Sequence, residues 1–137
     1  MKTKFLAAVA LLLVAVALLV IPGSLQASLA VGTRAPGFAT QVALGGQVQG
    51  FTLSAALQRG PVVLYFYPKA FTKGCTLETR AFAEAHDQFA AAGATVLGLS
   101  ADDLPTLQRF STEECRSKFA VGVATPDIIR AYDVAMA

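Results

Sequence analysis

The stretch VVLYFYPKAFTKGC, Val62 to Cys75, decides the fold of this chain. Val62 to Tyr67 is an unbroken run of β-branched, aliphatic and aromatic residues. A strand with one wet face alternates apolar and polar residues, so a run without alternation predicts a central strand buried on both faces. Pro68 to Phe71 reads as a loop, and Thr72 is a favourable N-cap for the helix behind it. Leu77, Ala81, Ala85 and Phe89 recur every four residues. They predict one apolar face on a single helix from Thr72 to about Ala92, with Glu78, Glu84 and Asp87 off that face. Gly93 supplies the C-terminal stop.

Thr95 to Leu99 predicts a second buried strand. Asp103 to about Phe119 predicts a second helix with Leu104, Leu107 and Phe110 turned inward, and Pro126 to Tyr132 a short third one with Asp127 in its first turn. Upstream, Gln41 to Leu53 reads as two short strands around Gly45-Gly46, and Ser54 to Arg59 as one helical turn capped by Ser54 and stopped by Gly60-Pro61. Val31 to Phe38 is an extended lead-in, since Pro36 biases Ala35 away from helix. Strand, helix, strand, helix is the pattern of an α/β fold with a parallel sheet. Open parallel sheets place their ligands at the carboxyl ends of the strands. Here that location is the segment after Tyr67.

The chain has 137 residues, enough for one domain with a leading segment. With 55% hydrophobic and 15% charged residues it is not disordered. Lys2 and Lys4 precede an apolar run from Phe5 to Ile21, and Ser28-Leu29-Ala30 has the small-x-small pattern of a signal-peptidase site. The run reaches roughly 25 Å, short of the roughly 30 Å hydrocarbon core. Residues 1–30 are expected to be an export signal cut after Ala30, or else an uncleaved membrane anchor. Either would place the domain of residues 31–137 outside the cytoplasm, in the periplasm or held facing outward. Without Lys2 and Lys4, the 11 basic residues fall to 9 and balance the 9 acidic ones. A neutral body gives no support to a nucleic-acid partner, which would need a basic patch.

Cys75 falls in the first turn of the predicted helix. The free amides and positive dipole end of a helix N-terminus favour a thiolate, the nucleophilic form of cysteine. The Thr72 hydroxyl is placed to donate to the sulfur or to a bound oxygen, and Lys69 and Lys73 add positive charge nearby. The competing reading is a buried cysteine acting as a small hydrophobe.

Pro68, Thr72 and Cys75 compose the pattern Pro-x-x-x-Thr-x-x-Cys, and with VVLYFYP before it the segment resembles the active-site motif of the peroxiredoxins, in particular their bacterioferritin-comigratory (Q-type) branch. The resemblance continues through VGTRAPGF (where that family commonly has Asp at the position of Gly37), VLGLSAD and IIRAYDV, and covers nearly all of residues 31–137. It implies a thioredoxin-like fold around a parallel or mixed sheet and a peroxidase using no metal or organic cofactor. Cys75 would match the peroxidatic cysteine, oxidised to a sulfenic acid by a hydroperoxide. Thr72 would match the residue that hydrogen-bonds peroxide and thiolate, and Pro68 the residue that shapes the pocket and shields the sulfur.

Cys115 would match a resolving cysteine carried in the following helix, closing an intramolecular disulfide that a thioredoxin-like donor reduces. The other Q-type position, five residues after Cys75, is Arg80. A static disulfide partner or a bystander are the alternatives for Cys115. The resolving role requires the first turn around Cys75 to unwind, since a disulfide needs Cα atoms within about 7 Å. The resemblance also implies an active-site Arg on a later strand and further C-terminal elements. Arg130 does not match that position, and Arg80, one turn past Cys75, is the local candidate. The domain is therefore expected to be C-terminally incomplete, with an exposed sheet edge.

His86 reads as a solvated surface residue, too far from Cys75 for a catalytic pair. Glu78 reads as a solvated acid or a helper of the Cys75 loop, and Asp102-Asp103 as a helix-capping pair. One His and two Cys 40 residues apart do not make a zinc site. Two rival functions stand beside the peroxidase. A thioredoxin-like disulfide oxidoreductase would need Cys three residues after Cys75, where Glu78 stands. A redox sensor, or an inactive relative, would keep Cys75 without turnover.

Overall fold

In the computed structural model of the chain, residues 28–135 are described, and the expected leader falls almost wholly outside them. The apolar run after Pro61 forms β3 (Val62–Phe66), and Thr95–Ser100 forms the parallel neighbour β4. β1 (Ala39–Leu44) and β2 (Gln47–Thr52) make the hairpin expected around Gly45-Gly46. A fifth strand, β5 (Ala120–Val123), lies parallel to β4 and antiparallel to β1. The order β2-β1-β5-β4-β3 makes the sheet mixed rather than wholly parallel.

β3 is half-buried along its length and stands at one edge of the sheet, not at its centre. Its apolar run is still explained, because both of its faces pack. Val63, Tyr65 and Tyr67 join a core cluster with Val96, Leu107, Phe110 and Phe119, while Leu64 and Phe66 join Leu97, Leu99, Ile128 and Tyr132 on the opposite side. Residue alternation along a strand sends neighbours to opposite faces.

The helices are α1 (Leu53–Leu57), α2 (Lys73–Glu84), α3 (His86–Ala91), α4 (Leu104–Glu113) and α5 (Pro126–Ala131). α1 begins after Thr52, one residue before the expected Ser54 turn, and without a side-chain cap. The single helix expected from Thr72 to Ala92 is two, broken at Ala85, whose ψ of 0° leaves the helical region. Its inward face also differs. Cys75, Thr79 and Ala83 are buried, whereas Leu77 is 59% exposed. Thr79 can face the core because its hydroxyl pairs with that of Tyr65 at 3.1 Å, so neither of these two hydroxyls is left unpaired. α4 starts at its expected Asp103 cap, which accepts from the Thr106 N–H at 2.9 Å, but it stops at Glu113. The chain then turns through Arg116 and Ser117, both at positive φ, into β5.

Gly98 permits the closest approach in the sheet. A Cβ there would come 2.6 Å from Tyr65 Cζ and 2.7 Å from its hydroxyl, across the β3–β4 register. Gly98→Ala must displace the Tyr65 ring and with it the Tyr65–Thr79 bond. The expected loss is about 1–3 kcal/mol, the range for overpacked cores, read as a lower urea midpoint at unchanged slope.

Candidate active site

Cys75 is the third residue of α2, at the carboxyl end of β3, and is 7% exposed. Local chemistry brings it there. The ladder between β3 and β4 closes with the Tyr67 N–H on the Leu99 carbonyl at 3.0 Å. Pro68 and Lys69 then lie exposed, Ala70 turns inward, and Phe71 takes φ +62°. Non-glycine residues are uncommon in that left-handed region. Phe71 is braced there by an edge contact with Phe110, ring centroids 5.1 Å apart, and by the Arg109 guanidinium 5.0 Å from its ring.

Thr72 occupies the N-cap backbone position, but its hydroxyl makes no capping bond. It donates instead to the Lys69 carbonyl at 3.0 Å. The first-turn amides around Cys75 are therefore left without a side-chain acceptor, and such groups attract negative charge. Lys69 and Lys73 are exposed on the loop and the first turn. Glu78 is exposed, as expected of a solvated acid. His86 opens α3 beside Asp87, whose carboxyl lies below its ordinary range through that hydrogen bond and the Lys118 charge.

Cys115 is not on a helix. It lies in the turn after α4, fully buried, with its N–H on the Phe110 carbonyl at 3.1 Å. Both cysteines are free thiols in one core cluster, and the Tyr65 side chain lies near each of them. Burial, with the Glu114 carboxylate beside it, pushes the Cys115 thiol up to about 12. The same burial raises the phenols of Tyr65 and Tyr67 well above their ordinary range. The Tyr67 hydroxyl is buried without a hydrogen bond of good geometry, although Ser100 is close enough to oppose that rise slightly.

Arg80, the local candidate for a charge on the active-site sulfur, is committed elsewhere. Its guanidinium meets Glu114 at 2.6 Å, next to Cys115, and so ties α2 to the turn that carries the second thiol. Arg130 pairs with Asp127 within α5. Asp102, expected to cap, accepts hydrogen bonds from the Ala70 N–H and the Ser100 hydroxyl instead. The sequence signal for that role was only its place after β4, at the same end of the sheet as Cys75.

A thiol reagent at pH 8 is expected to modify Cys75, 7% exposed at the start of α2, before the fully buried Cys115. The Cys115 thiol titrates higher folded than unfolded, so its contribution to stability is full below about pH 9 and is lost as pH rises toward 12. Urea midpoints measured from pH 8 to pH 11 should fall less in Cys115→Ala than in the unmodified chain.

The sequence profile of the AhpC/TSA family matches residues 31–136. The chloroplastic peroxiredoxin Q of Populus jackii is 44% identical over 63 residues, 45% of this chain and 30% of that protein. The peroxiredoxin Bcp of Escherichia coli is 43% identical over 53 residues, 39% of this chain and 34% of that one. The chain therefore aligns with about a third of the length of these relatives. Among solved structures, the reduced 2-Cys peroxiredoxin of Plasmodium vivax superposes with a TM-score of 0.68 at 26% identity, covering 77% of this chain and 69% of that one. Peroxiredoxin Q of Xanthomonas campestris gives 0.60 at 33%, covering 70% and 60%.

These relatives correct the expected location. The plant proteins are named chloroplastic, a compartment inside the cell, which overturns the periplasmic or outward-facing placement. The apolar run behind that expectation measures hydropathy, and hydropathy does not name a compartment. Among the described residues no helix is long and apolar enough to cross a membrane. With its mixed sheet, its Cys75 at the start of α2 and a profile match over the whole of the folded domain, the chain belongs to the AhpC/TSA family.

Proposed function

We propose that the chain is a thiol-dependent peroxidase acting on hydrogen peroxide and organic hydroperoxides. The Cys75 thiolate attacks the terminal peroxide oxygen. The O–O bond breaks, the leaving oxygen takes a proton to become water or an alcohol, and Cys75 is left as a sulfenic acid. Cys115, once exposed and deprotonated, attacks the Cys75 sulfur. The S–S bond forms and the hydroxyl departs as water. A thioredoxin-like dithiol supplies the two electrons that restore both thiols.

The observation that carries this reading is Cys75 in the uncapped first turn of α2, within the strand-loop-helix segment that matches the family. In this reading Thr72 turns its hydroxyl from the Lys69 carbonyl toward the substrate oxygen. Pro68 borders the approach to the sulfur, and no metal or organic cofactor takes part. Resolution needs two movements. The first turn of α2 unwinds, and the Arg80–Glu114 pair opens to release Cys115. The test is peroxide consumption by the reduced chain with a dithiol donor, beside reduction of a protein disulfide without peroxide. Repeated turnover in the first assay alone supports the peroxidase. Activity in the second alone would establish a disulfide oxidoreductase, and a single stoichiometric oxidation would establish a sensor.

A further inference from the structure

The segment that delivers Cys75 is held from outside by one carboxylate. Asp102 Oδ2 accepts from the backbone N–H of Ala70 at 2.7 Å and from the Ser100 hydroxyl at 2.8 Å. Ser100 is the last residue of β4 and Ala70 the centre of the loop after β3, and both are buried. A single oxygen thus joins the carboxyl ends of two neighbouring strands. The residue after Ala70 is Phe71, at φ +62°, a conformation that persists only where surrounding contacts impose it. The next residue, Thr72, starts α2. Within the loop itself, the bond that shapes this path is that from Thr72 to the Lys69 carbonyl.

Capping does not account for Asp102, because the N-cap of α4 is Asp103. Salt bridging does not account for it either, since among the described residues it belongs to none of the ion pairs, whose acids are Glu84, Asp87, Glu113, Glu114 and Asp127.

We propose that Asp102 is a positioning residue for Cys75. It fixes the Ala70 amide, which holds Phe71 in its left-handed turn and so sets the direction in which α2 begins and the site its first turn presents. This rests on the peroxidase reading only for its effect on rate, because the placement itself is measurable without peroxide. The carboxylate acts as an acceptor. Asp102→Asn retains an oxygen able to take both bonds, and Asp102→Ala retains none.

The test compares Asp102→Ala, Asp102→Asn and the unmodified full chain by amide exchange at Ala70 and by the rate constants of Cys75 with hydrogen peroxide and with iodoacetamide. In the unmodified chain the Ala70 amide should exchange at least about a hundredfold more slowly than a free peptide, although it lies in a loop. Asp102→Ala should speed that exchange about tenfold or more and lower the peroxide rate constant about ten- to a hundredfold, the scale on which a small misplacement acts. Alkylation, which requires access rather than a shaped site, should change by less than about threefold, and Asp102→Asn should recover each value to within about threefold. An unprotected Ala70 amide in the unmodified chain would overturn the proposal without any variant, which covers the case of an unfolded Asp102→Ala. So would an Asn variant as impaired as the Ala one. Should the unmodified chain show no acceleration with peroxide, the peroxidase reading fails, and the exchange comparison still decides for or against Asp102.

Discussion

Cys75→Ser is expected to abolish peroxide turnover and leave the fold standing. The hydroxyl of serine is a far poorer nucleophile than a thiolate and cannot form a sulfenic acid, so the chemistry has no second route. Removing a nucleophile from a site that otherwise remains intact costs on the order of 10⁴-fold or more. The structural cost is small by comparison. The side chain is nearly isosteric, and burying a hydroxyl in place of a thiol at a site 7% exposed costs about 1–2 kcal/mol. Peroxide consumption with a dithiol donor, measured beside a urea denaturation curve, separates the two effects. Cys115→Ser should behave differently. Its first oxidation proceeds at the normal rate and stops at the Cys75 sulfenic acid, which a sulfenic-specific dione traps. Residual turnover in Cys75→Ser above the rate of buffer would place the chemistry on another residue.

Phe110→Ala is expected to be the most destabilising single change in the domain. The ring is fully buried in the core cluster that also holds both cysteines. It stacks on Tyr67 at 5.5 Å and meets Phe71 edge-on at 5.1 Å, so it supports the end of β3 and the loop that leads to Cys75. Truncation removes the transfer free energy of the ring and leaves a cavity in that cluster, between the helix, Tyr67 and Phe71. The expected loss is about 3–5 kcal/mol. Because the chain has no Trp, circular dichroism rather than tryptophan emission should follow the urea transition. A functional consequence accompanies the loss. Phe71 loses a brace at positive φ, so the peroxide rate constant should drop even at temperatures where the variant is folded. A loss below about 1 kcal/mol would mean that the Phe71 loop is held without Phe110.

Much of this fold was legible where apolar runs are long. β4, the β1–β2 hairpin and the starts of α4 and α5 appeared as expected, and β3 formed as a strand, although at the edge of the sheet rather than its centre. What was hidden lay in pairings between distant residues. Thr79 looks like a surface residue until Tyr65, fourteen positions away on a strand, supplies its partner. Leu77 looks like a core residue, but Cys75, Thr79 and Ala83 take the inward face and leave it 59% exposed. The break at Ala85 falls in a run of Ala, Glu, His and Asp with neither Gly nor Pro to announce it. β5 is only four residues long and contains Gly122, a poor strand former that is required because a Cβ there would come 2.7 Å from Val42 Cγ1 and 2.9 Å from Leu99 Cδ2. Missing that strand extended the predicted α4 through Cys115 and so placed the second thiol on a helix. At the site, the positions of Cys75 and Thr72 were readable from the motif and its strand-to-helix setting. Neither the Thr72 bond to Lys69 nor the Asp102 bond to Ala70 was readable, because both depend on how the loop closes.

The most direct measurement treats the reduced chain with one equivalent of hydrogen peroxide, then determines the intact mass and maps the peptides. The disulfide mechanism predicts a chain lighter by two hydrogens with Cys75 joined to Cys115 in the same molecule, formed much faster than free cysteine is oxidised. Oxidation no faster than free cysteine, or a product in which Cys75 remains a thiol, would contradict it.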